Sequence, residues 1–486
     1  MTSPEAARRQ SLYLTLDQGG HAGRALVFDN KGRCVAQADT PCSVMRSGND
    51  RVEHNAESLV SGLQGSLIQI AAQLGVRTTD IICASLVTQR SSIVCWDRVS
   101  GAALTPVLSW QDRRAQQWLL QFSDSSNKIH ALTGLKMSAH YGASKLRWCL
   151  DHVPEVQIAH QTGRLACGPL AAFLLFRLLN ERPMLVDSGN AARTLLWNRH
   201  SRNWDKELLG LFGVPVDCLP CCVPNRHVFG TLSIATHAVP LKLCHGDQPV
   251  ALFAAGAPRV DHVYINIGTG AFVQRVLGYD PGTIPDLLTT LVLDDGATPH
   301  YALEGTVNGA ASAIDVIGSE LGLDAETWMA QLPLWLDQCV NQPLFLNGIS
   351  GLGSPYWRAD FKSRFIGTGT PAECLVAVVE SIVFLLQSNL RAMDRHVIPA
   401  NVIVVSGGLA TLDGLCRRLA TLSGLPVQRL PIAEATARGA AWLLVNDATE
   451  RVTDTSVIEF APSEDPALQE RYRRWCAALD EQLEAE

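Results

Sequence analysis

The sequence lacks several features that would define its function at once. It contains no Gly-Lys pair, which excludes the GxxxxGK[ST] loop of the P-loop nucleotide-binding proteins. It also has no basic block and no acidic tail, and its formal net charge of -7 is spread along 486 residues. We therefore expect neither nucleic acid nor a membrane surface as a partner.

Long hydrophobic runs are absent as well. The longest apolar stretch, LVAVVESIVFLL, is interrupted by Glu380 and Ser381, and the sequence predicts that it is too short to span a bilayer. The first residues, MTSPEAARRQS, are polar and charged and lack the apolar core of a secretory signal. These features predict a cytoplasmic protein.

A disulfide-rich composition is also absent, because 14 cysteines in 486 residues are too few for a disulfide scaffold. Most of them fall inside apolar runs, a pattern typical of buried free thiols in a reducing compartment. The examples are Cys83, Cys95, Cys149 and Cys374.

One cysteine cluster raises the question of a metal or redox site. Cys218 and Cys221 form a CxxC pair, Cys222 follows, and Cys244-His245 lie downstream. A structural zinc site usually has two such pairs, and a redox motif begins a helix after a strand, whereas prolines lie within and after this stretch. The sequence therefore favours a plain loop here.

The sequence that is present predicts a mixed α/β protein. Three strand-like runs, LYLTLD, RALVFD and RCVAQAD, are separated by turns at Gly19-Gly20 and at residues 29–32. A helix with apolar residues at helical spacing follows Asn55, and IICASLVT then predicts a buried strand in the same sheet. With 47% hydrophobic residues, the chain is long enough for two or more domains.

The second half partly repeats this opening. At an offset of 251 positions, Tyr13 falls on Tyr264 and Gly19 on Gly270, which suggests two similar domains with a cleft between them. A long helix is also predicted there, because Thr370, Pro371 and Glu373 form the pattern of a capping box. Apolar residues all round its central turns place this helix in the core.

Glycine turns follow three of the predicted buried strands, at Gly19-Gly20, at Gly268 to Gly270 and at Gly407-Gly408. Glycine lets backbone N–H groups approach phosphate oxygens, although tight hairpins are the commoner use of Gly-Gly. Asp17 lies beside the first of these turns, and Asp247 lies just before the second predicted domain. These two acids favour the phosphate-binding interpretation.

Segments throughout residues 12–445 resemble the FGGY carbohydrate kinases, and most of all their glycerol kinase branch. The matching pieces include LDQGGHAGRALVFD, VTQRSSIVCWD, LSWQDRRA, DSGNAARTLLWN, GDQPVALF, NIGTGAF, YALEGTVNGAASAI and VVSGGLAT, in the family's order. The resemblance implies an α/β fold of two actin-like ATPase (ribonuclease-H-like) domains with a ligand cleft between them. It implies an N-terminal domain at residues 1–252, a C-terminal domain at 253–445 and a helical tail at 446–486.

The resemblance also implies an ATP- and Mg²⁺-dependent kinase that acts on a small sugar or polyol. Asp247 matches the general base that accepts the proton of the attacking hydroxyl, and Asp17 with Asp247 matches the metal site. The positions that match substrate contacts are Arg90, Ser91, Trp110, His140, Asp247 and Gln248. The positions that match nucleotide contacts are Gly19, Gly20, His21, Arg24, Gly268, Thr269, Gly270, Ala311, Asp315, Gly407, Gly408 and Leu412.

The chain departs from the family pattern in each ligand region. The first turn usually carries hydroxyl groups after its glycine, whereas this chain has Gly20, His21 and Ala22, so that the His21 ring is either a replacement donor or an exposed turn residue. Ser91 stands where glycerol kinases have an acid, and His140 stands where they have a tyrosine. These two changes put glycerol in doubt and suit a larger polyol or a ketose. On the adenosine side, Asp315 and Leu412 stand where the family often has amides.

Two alternatives remain open at this point. The altered first turn is compatible with a catalytically weak family member that acts as a ligand-binding regulator or scaffold, although retention of both Asp17 and Asp247 argues against it. A sugar-independent actin-like ATPase would have no use for Arg90 or Gln248. A homodimer is a possible assembly, and the amphipathic C-terminal segment is a candidate to pack on the first domain or on a partner.

Overall fold

The computed structural model describes residues 11–48, 50–430, 434–445 and 457–485. Its strands, numbered along the chain, are β1 (Leu12–Gln18), β2 (Ala22–Asp29), β3 (Cys34–Pro41), β4 (Met45–Ser47), β5 (Arg51–His54), β6 (Ile81–Thr88), β7 (Ile93–Asp97), β8 (Val107–Leu108), β9 (Leu165–Pro169), β10 (Leu185–Asp187), β11 (Trp197–Asn198), β12 (Asn203–Trp204), β13 (Cys221–Val223), β14 (Arg226–Ile234), β15 (His237–Gly246), β16 (His262–Ile267), β17 (Ala271–Leu277), β18 (Leu288–Leu293), β19 (His300–Val307), β20 (Leu344–Leu346), β21 (Arg364–Ile366), β22 (Val402–Ser406), β23 (Val427–Arg429) and β24 (Ile458–Phe460).

Helices cover the faces of the sheets and the connections between them. In chain order they are α1 (Ala56–Leu74), α2 (Gln116–Leu119), α3 (Ser126–Thr133), α4 (Gly142–His152), α5 (Pro154–Gln161), α6 (Leu170–Leu178), α7 (Ser188–Ala191), α8 (Lys206–Phe212), α9 (Asp247–Ala251), α10 (Ala311–Glu320), α11 (Ala325–Gln338), α12 (Pro371–Asp394), α13 (Asp413–Ser423), α14 (Ala435–Leu444) and α15 (Pro466–Ala485).

The first large sheet has the strand order β14-β15-β6-β1-β2-β3. The predicted hairpins are confirmed, since β1 and β2 pair antiparallel and β2 and β3 do the same. The turn between β2 and β3 closes where the Gly32 N–H donates to the Asp29 carbonyl at 3.0 Å. The IICASLVT segment forms β6, which lies parallel to β1 as expected.

The second large sheet has the order β18-β19-β17-β16-β22-β23-β24. Its central five strands repeat the first sheet: β19, β17 and β16 are antiparallel neighbours, and β22 and β23 continue the sheet in parallel. In the first sheet β3, β2, β1, β6 and β15 have the same order and directions. Thus β1 and β16, the strands that contain Tyr13 and Tyr264, occupy equivalent places, and the repeat predicted from sequence reflects a structural repeat.

The two long helices begin and pack as the sequence predicts. The side chain of Asn55 caps α1 by accepting from the Ser58 N–H at 2.9 Å, and the predicted leucine stripe of α1 is buried. Thr370 and Glu373 form a capping box at the start of α12, with Pro371 in the first turn. Nearly every central residue of α12 is buried, which confirms its place in the core.

The prediction that no apolar segment is long enough to cross a membrane was wrong. By length and composition alone, two helical segments pass that test, Ala56–Asp80 and Pro371–Asp394. The helix around LVAVVESIVFLL extends through Glu380 to 24 residues, because the buried carboxylate of Glu380 is paired with Arg418 and Arg471. Since 94% of the apolar window of α12 is buried, that helix has the environment of a protein core.

The C-terminal segment belongs to the second sheet and not to the first domain or a partner, which corrects the expectation from sequence. Strand β24 pairs antiparallel with β23. Helix α15 packs in the same core as α12, through the buried residues Leu468, Tyr472, Trp475 and Leu479. The described residues after 456 are therefore an integral layer of this half of the protein.

All fourteen cysteines are free thiols, and Cys83, Cys95, Cys149 and Cys374 are buried as predicted. The CxxC stretch is more ordered than the predicted plain loop: Cys218 ends a short 3-10 helix, and Cys221 begins β13, which pairs with β10. Within the described parts of the chain, no group of three or more His, Cys, Asp or Glu residues is arranged to hold a metal ion.

The two halves meet along α9 and α14. Helix α14 packs against β1 and β6 of the first sheet, and the Thr15 hydroxyl donates to the Ala437 carbonyl at 3.4 Å. A Cβ on Gly439 would lie 1.9 Å from the Val250 carbonyl oxygen, so only glycine allows α14 to approach α9 this closely. This contact positions the helix that begins with Asp247.

Candidate active site

Asp17 and Asp247 lie at the same edge of the first sheet. Asp17 is the penultimate residue of the central strand β1, and Asp247 begins α9 directly after β15. Strands β1, β6 and β15 are parallel, so their carboxyl ends meet at one edge, the usual place for ligand sites in such sheets. Burial, and next the charge of Asp247, raises the pKa of Asp17 to about 7.

Asp247 is a buried carboxyl group beside cationic and amide partners. Its burial raises its pKa, while the neighbouring Arg90 is the largest influence in the opposite direction. The Gln248 N–H donates to Asp247 Oδ1 at 2.8 Å, and the Arg90 guanidinium donates to the Gln248 side-chain oxygen. A Cβ at Gly246 would lie 2.3 Å from Arg90 Cδ, so this glycine makes room for the arginine.

A cavity of about 80 Å³ lies against Asp247. It brings together five of the residues predicted to contact substrate, which are Arg90, Trp110, His140, Asp247 and Gln248. The rings of Trp110 and His140 face each other with centroids 5.5 Å apart. Burial, and then the charges of nearby arginines and Lys145, holds the pKa of His140 well below its usual range, so that the ring is neutral.

Ser91 is the exception among the predicted substrate contacts. Its buried side chain does not line the cavity, and its backbone has a φ of 64°. Its carbonyl oxygen accepts from Lys145 Nζ at 2.8 Å. Ser91 therefore contacts Lys145 through its backbone in the turn after Arg90 and does not itself line the cavity.

Three further residues, which the sequence analysis did not single out, also line the cavity. They are Gln89, Arg193 and Phe272. Behind them Glu304 of β19 accepts from Arg193 Nη1 at 3.2 Å and lies 4.0 Å from Arg90 Nη2, so that it connects both arginines to the second sheet. Gln89 and Phe272 occur within matched motifs. Arg193 could have been recognised as a charged residue within a run of small residues, SGNAARTLL.

A larger cavity of about 410 Å³ adjoins the first one and shares Asp247, Gln248 and Phe272 with it. It runs along β16 and β22 to Gly407 and to Ala435 and Thr436 of α14. Gly407 has a φ of 92°, and a Cβ there would lie 2.5 Å from the Ile267 carbonyl oxygen. The strand end at Gly407 therefore requires glycine for both its conformation and its close packing.

The other predicted nucleotide contacts lie outside the lining of this cavity. The turn from Gly268 to Gly270 joins β16 to β17, and the Ala311 N–H donates to the Gly268 carbonyl at 3.0 Å. Thr269 is exposed, as is Asp315 one turn along α10. Their positions at the strand end are as expected, but the structure does not bring them into one pocket with Asp247. The same holds for Gly19, Gly20, His21, Arg24, Gly408 and Leu412.

A backbone hydrogen bond closes the first glycine turn, and its two glycines do not have the left-handed conformation that would require glycine. The Gly19 N–H donates to the Ala22 carbonyl at 3.0 Å, and neither Gly19 nor Gly20 has a positive φ. A Cβ on Gly20 would lie 3.4 Å from the side-chain oxygen of Gln89, which is ordinary contact. His21 is exposed, and Arg24 forms an ion pair with Glu434 at the start of α14.

The residues present fit a magnesium ion. Asp17 is only 7% exposed and lies near a second carboxylate, an arrangement that costs energy unless a cation or a proton intervenes. Mg²⁺ is typically held by one or two carboxylates together with water and phosphate oxygens. Asp17 and Asp247 provide that donor set, whereas the described residues contain no larger metal cluster.

Two family models together cover most of the chain. The N-terminal domain of the FGGY family of carbohydrate kinases matches residues 12–254, and the C-terminal domain of the same family matches residues 263–446. The chain therefore belongs to the FGGY family of carbohydrate kinases, as the sequence motifs predicted. It is an enzyme that phosphorylates a hydroxyl group of a sugar or polyol.

Within that family, the chain is similar to proteins named glycerol kinase. The glycerol kinase of Trichlorobacter lovleyi is 34% identical over 448 residues, which are 89% of each chain. That of Polaromonas naphthalenivorans is 32% identical over 446 residues, covering 88% of this chain and 89% of the relative.

Solved structures confirm the predicted two-domain fold. The glycerol kinase of Plasmodium falciparum with ADP aligns with a TM-score of 0.84 at 20% identity, over 98% of both chains. A gluconate kinase from Lactobacillus acidophilus aligns with a TM-score of 0.85 at 19% identity, also over 98% of both chains. At these identities the likeness concerns the fold.

Proposed function

We propose that the protein transfers the γ-phosphoryl group of ATP to a hydroxyl group of a small sugar or polyol, with Asp247 as the general base. One observation carries this proposal: Asp247 lies where the cavity of about 80 Å³ meets the cavity of about 410 Å³. A small acceptor fits the first cavity and a nucleotide the second. The phosphoryl group would then pass between them beside Asp247.

The surroundings of Asp247 support its role as a base. Burial raises the pKa of Asp247, and the charge of Arg90 is the largest influence that opposes this rise. A general base works best when its pKa is close to the operating pH, because it must first be free of the proton and then accept it. The Gln248 N–H holds one carboxylate oxygen, which leaves the other for the attacking hydroxyl group.

Asp17 is the residue that would hold Mg²⁺, with Asp247 close by. The ion supplies charge neutralisation for the phosphates when bound. The chain's own contribution is to keep Asp17 at a fixed strand end between β2 and β6, where the carboxylate cannot move away from its partner. The ion pair of Arg24 with Glu434 then places a cation at the same edge of the sheet.

The proposal includes two domains, which divide between residues 252 and 253. The first carries Asp17, Arg90 and Asp247, and the second carries Phe272 and the glycine turn at Gly407. Glu304, which reaches from the second sheet to Arg90 and Arg193, would link the domains at the acceptor site. Closure of the cleft would exclude water and limit ATP hydrolysis without an acceptor.

The direct test is an ADP-release assay of the purified protein with ATP, MgCl₂ and a panel of polyols, ketoses and aldoses. We expect at least one acceptor to be turned over, and we expect Asp247→Asn to lower kcat by about 10²–10⁴-fold. Asp124→Asn, the same substitution at an exposed aspartate, serves as the matched control. ADP release that is equal with and without every acceptor would instead identify a sugar-independent ATPase.

The remaining alternative is a ligand-binding regulator or scaffold with little activity. It predicts ligand binding with no turnover above the Asp247→Asn background. A thermal shift with the same panel distinguishes it, since ligand binding raises Tm whether or not catalysis follows. A cytoplasmic location and a homodimer stay predictions.

A further inference from the structure

The acceptor cavity contains an unusual number of buried donors without partners. Gln89, Arg90 and Arg193 line it and are 2%, 5% and 4% exposed. Among the described residues, neither amide atom of Gln89 has a hydrogen-bond partner, and neither does the Nε of Arg90 or of Arg193. Buried polar groups that make no hydrogen bond are costly, so a ligand is expected to satisfy them.

Cations also dominate the electrostatics of this cavity. After burial, the four largest influences on the ring of His140, which lines the cavity, come from Arg113, Arg193, Lys145 and Arg90, and all four disfavour a proton there. Three of these four side chains are guanidinium groups. The ring thus reports a local excess of positive charge on the acceptor side of Asp247.

The nearby acids are largely committed to other partners. Glu304 accepts from Arg193 and from Gln274, the latter at 2.9 Å, and does not line the cavity. Asp112 accepts from the Val52 N–H and pairs with Arg114. Asp247 is the only carboxylate among the residues that line the cavity, and its base function requires one of its oxygens.

We infer that the acceptor carries a carboxylate, and that the substrate is a small polyhydroxy acid held by Arg90, Arg193 and Gln89. This inference rests on the proposed function. A hydroxyl group both donates and accepts, whereas a carboxylate only accepts, which suits the unpaired Nε–H groups of Arg90 and Arg193 and the unpaired amide N–H of Gln89. Arg–carboxylate hydrogen bonds are also among the strongest available in a protein interior.

The carboxylate takes no part in the bond changes. The oxygen of one acceptor hydroxyl forms a bond to the γ-phosphorus of ATP, and the bond between that phosphorus and the bridging oxygen breaks, which releases ADP. The hydroxyl proton passes to Asp247. The product is the phosphate monoester of the polyhydroxy acid, and the carboxylate stays bound to the arginines throughout.

Matched pairs of acceptors that differ only in oxidation at one end provide the test. With ATP and MgCl₂, we would compare glycerate with glycerol, erythronate with erythritol, xylonate with xylitol and gluconate with sorbitol. We expect one acid at least to exceed its matched alcohol by about tenfold or more in kcat/KM. Without ATP, the preferred acid should raise Tm more than its matched alcohol does.

Two arginine variants test the charge itself. Arg193→Gln should reduce the ratio of acid to alcohol kcat/KM about tenfold or more, whereas Arg193→Lys, which keeps the charge, should retain part of that ratio. Arg77→Gln, a change at a half-exposed arginine, should leave the ratio unchanged. If the Arg193 variants do not fold, the wild-type panel decides the question alone.

The outcomes separate the two proposals. A neutral alcohol or ketose that is turned over as well as, or better than, every acid overturns the inference and leaves the kinase proposal in place. If no acceptor in either panel is turned over, the proposed function fails, and the inference fails with it.

Discussion

The carboxyl groups of Asp17 and Asp247 share one buried edge of the first sheet, and the charge of Asp247 is the largest electrostatic influence that raises the pKa of Asp17. Together with burial it raises that pKa to about 7. Two acids held this close are unfavourable in the absence of a cation. Holding these two acids together therefore lowers the stability of the folded protein, which is common at sites that bind a charged ligand.

The first prediction concerns the pH dependence of stability. In the unfolded chain Asp17 loses its proton near its ordinary pKa of 3.8, whereas the folded protein keeps the proton until about pH 7. The stabilising contribution of this proton is fully present below about pH 4 and is lost as the pH rises through 7. We expect Asp17→Asn to raise Tm by roughly 5 °C at pH 8 and to change it little at pH 4.

Thermal unfolding of both proteins across this pH range measures the effect, with Asp124→Asn as an exposed control. Addition of MgCl₂ at pH 8 should raise the Tm of the wild type more than that of Asp17→Asn. Parallel Tm curves for the two proteins at all pH values would contradict the assignment of a raised pKa to Asp17.

A second prediction addresses the first glycine turn. His21 is exposed beside the Gly20 backbone, where it can donate to a phosphate oxygen. If the ring replaces the missing hydroxyl groups, His21→Ala should raise the KM for ATP about fivefold, the loss of roughly one hydrogen bond. His160→Ala, at an exposed histidine of α5, is the matched control.

Gly20→Thr complements this variant. The new Cβ meets only ordinary contact with Gln89, and Gly20 has no positive φ, so the fold should tolerate the change. A lower KM for ATP in Gly20→Thr, together with no effect of His21→Ala, would mean that the natural turn has lost its phosphate contacts and that the ring does not replace them.

Much of the architecture was accessible from the sequence because its determinants are local. The Asp29–Gly32 turn, the Asn55 cap and the Thr370 capping box each depend on residues within a few positions of one another, and all were predicted. The placement of Asp17 and Asp247 followed from motifs at the ends of strands. The sheet partners of β24 and the packing of α15 depend on contacts 29 or more residues away, which no local pattern encodes.

The acceptor site was only partly predictable for the same reason. Arg90 and Trp110 were recognised within matched motifs and His140 as a departure from the family pattern, but the role of Ser91 depends on a backbone φ that its side chain does not predict. Arg193 and Glu304 contact each other across 111 residues and between the two sheets. Their pairing emerges only when both sheets are assembled.

A third prediction concerns Lys145, whose ammonium group contacts three backbone segments around the acceptor cavity. It is fully buried, and its Nζ donates to the carbonyl oxygens of Ser91, Ser109 and His140 at 2.8, 3.0 and 2.8 Å. Each of these residues is a cavity residue or precedes or follows one. Burial, and then the charge of Arg113, holds the pKa of Lys145 well below its usual range.

Lys145→Met should therefore raise the KM for the acceptor about tenfold or more and leave the KM for ATP within about twofold, because three cavity segments lose their common donor. Steady-state kinetics with each substrate varied in turn measures this split. Lys128→Met, which removes an exposed lysine paired with Glu207, is the control. An equal rise in both KM values would indicate general loss of structure instead of a local effect.

The last prediction tests whether the C-terminal helix is part of the second core. Trp475 of α15 is fully buried, its indole N–H donates to the Phe345 carbonyl at 2.8 Å, and its ring lies 5.5 Å from that of Phe384 in α12. Trp475→Ala removes both the aromatic packing and the donor, which should destabilise the protein by about 3–5 kcal/mol and lower Tm by roughly 10 °C. Arg474→Ala, at the exposed neighbouring position, should change Tm by about 1 °C or less because surface substitutions rarely affect stability. A small effect of Trp475→Ala would mean that α15 is a detachable tail, as the sequence first indicated; a large effect would mean that the second sheet needs this helix to complete its core.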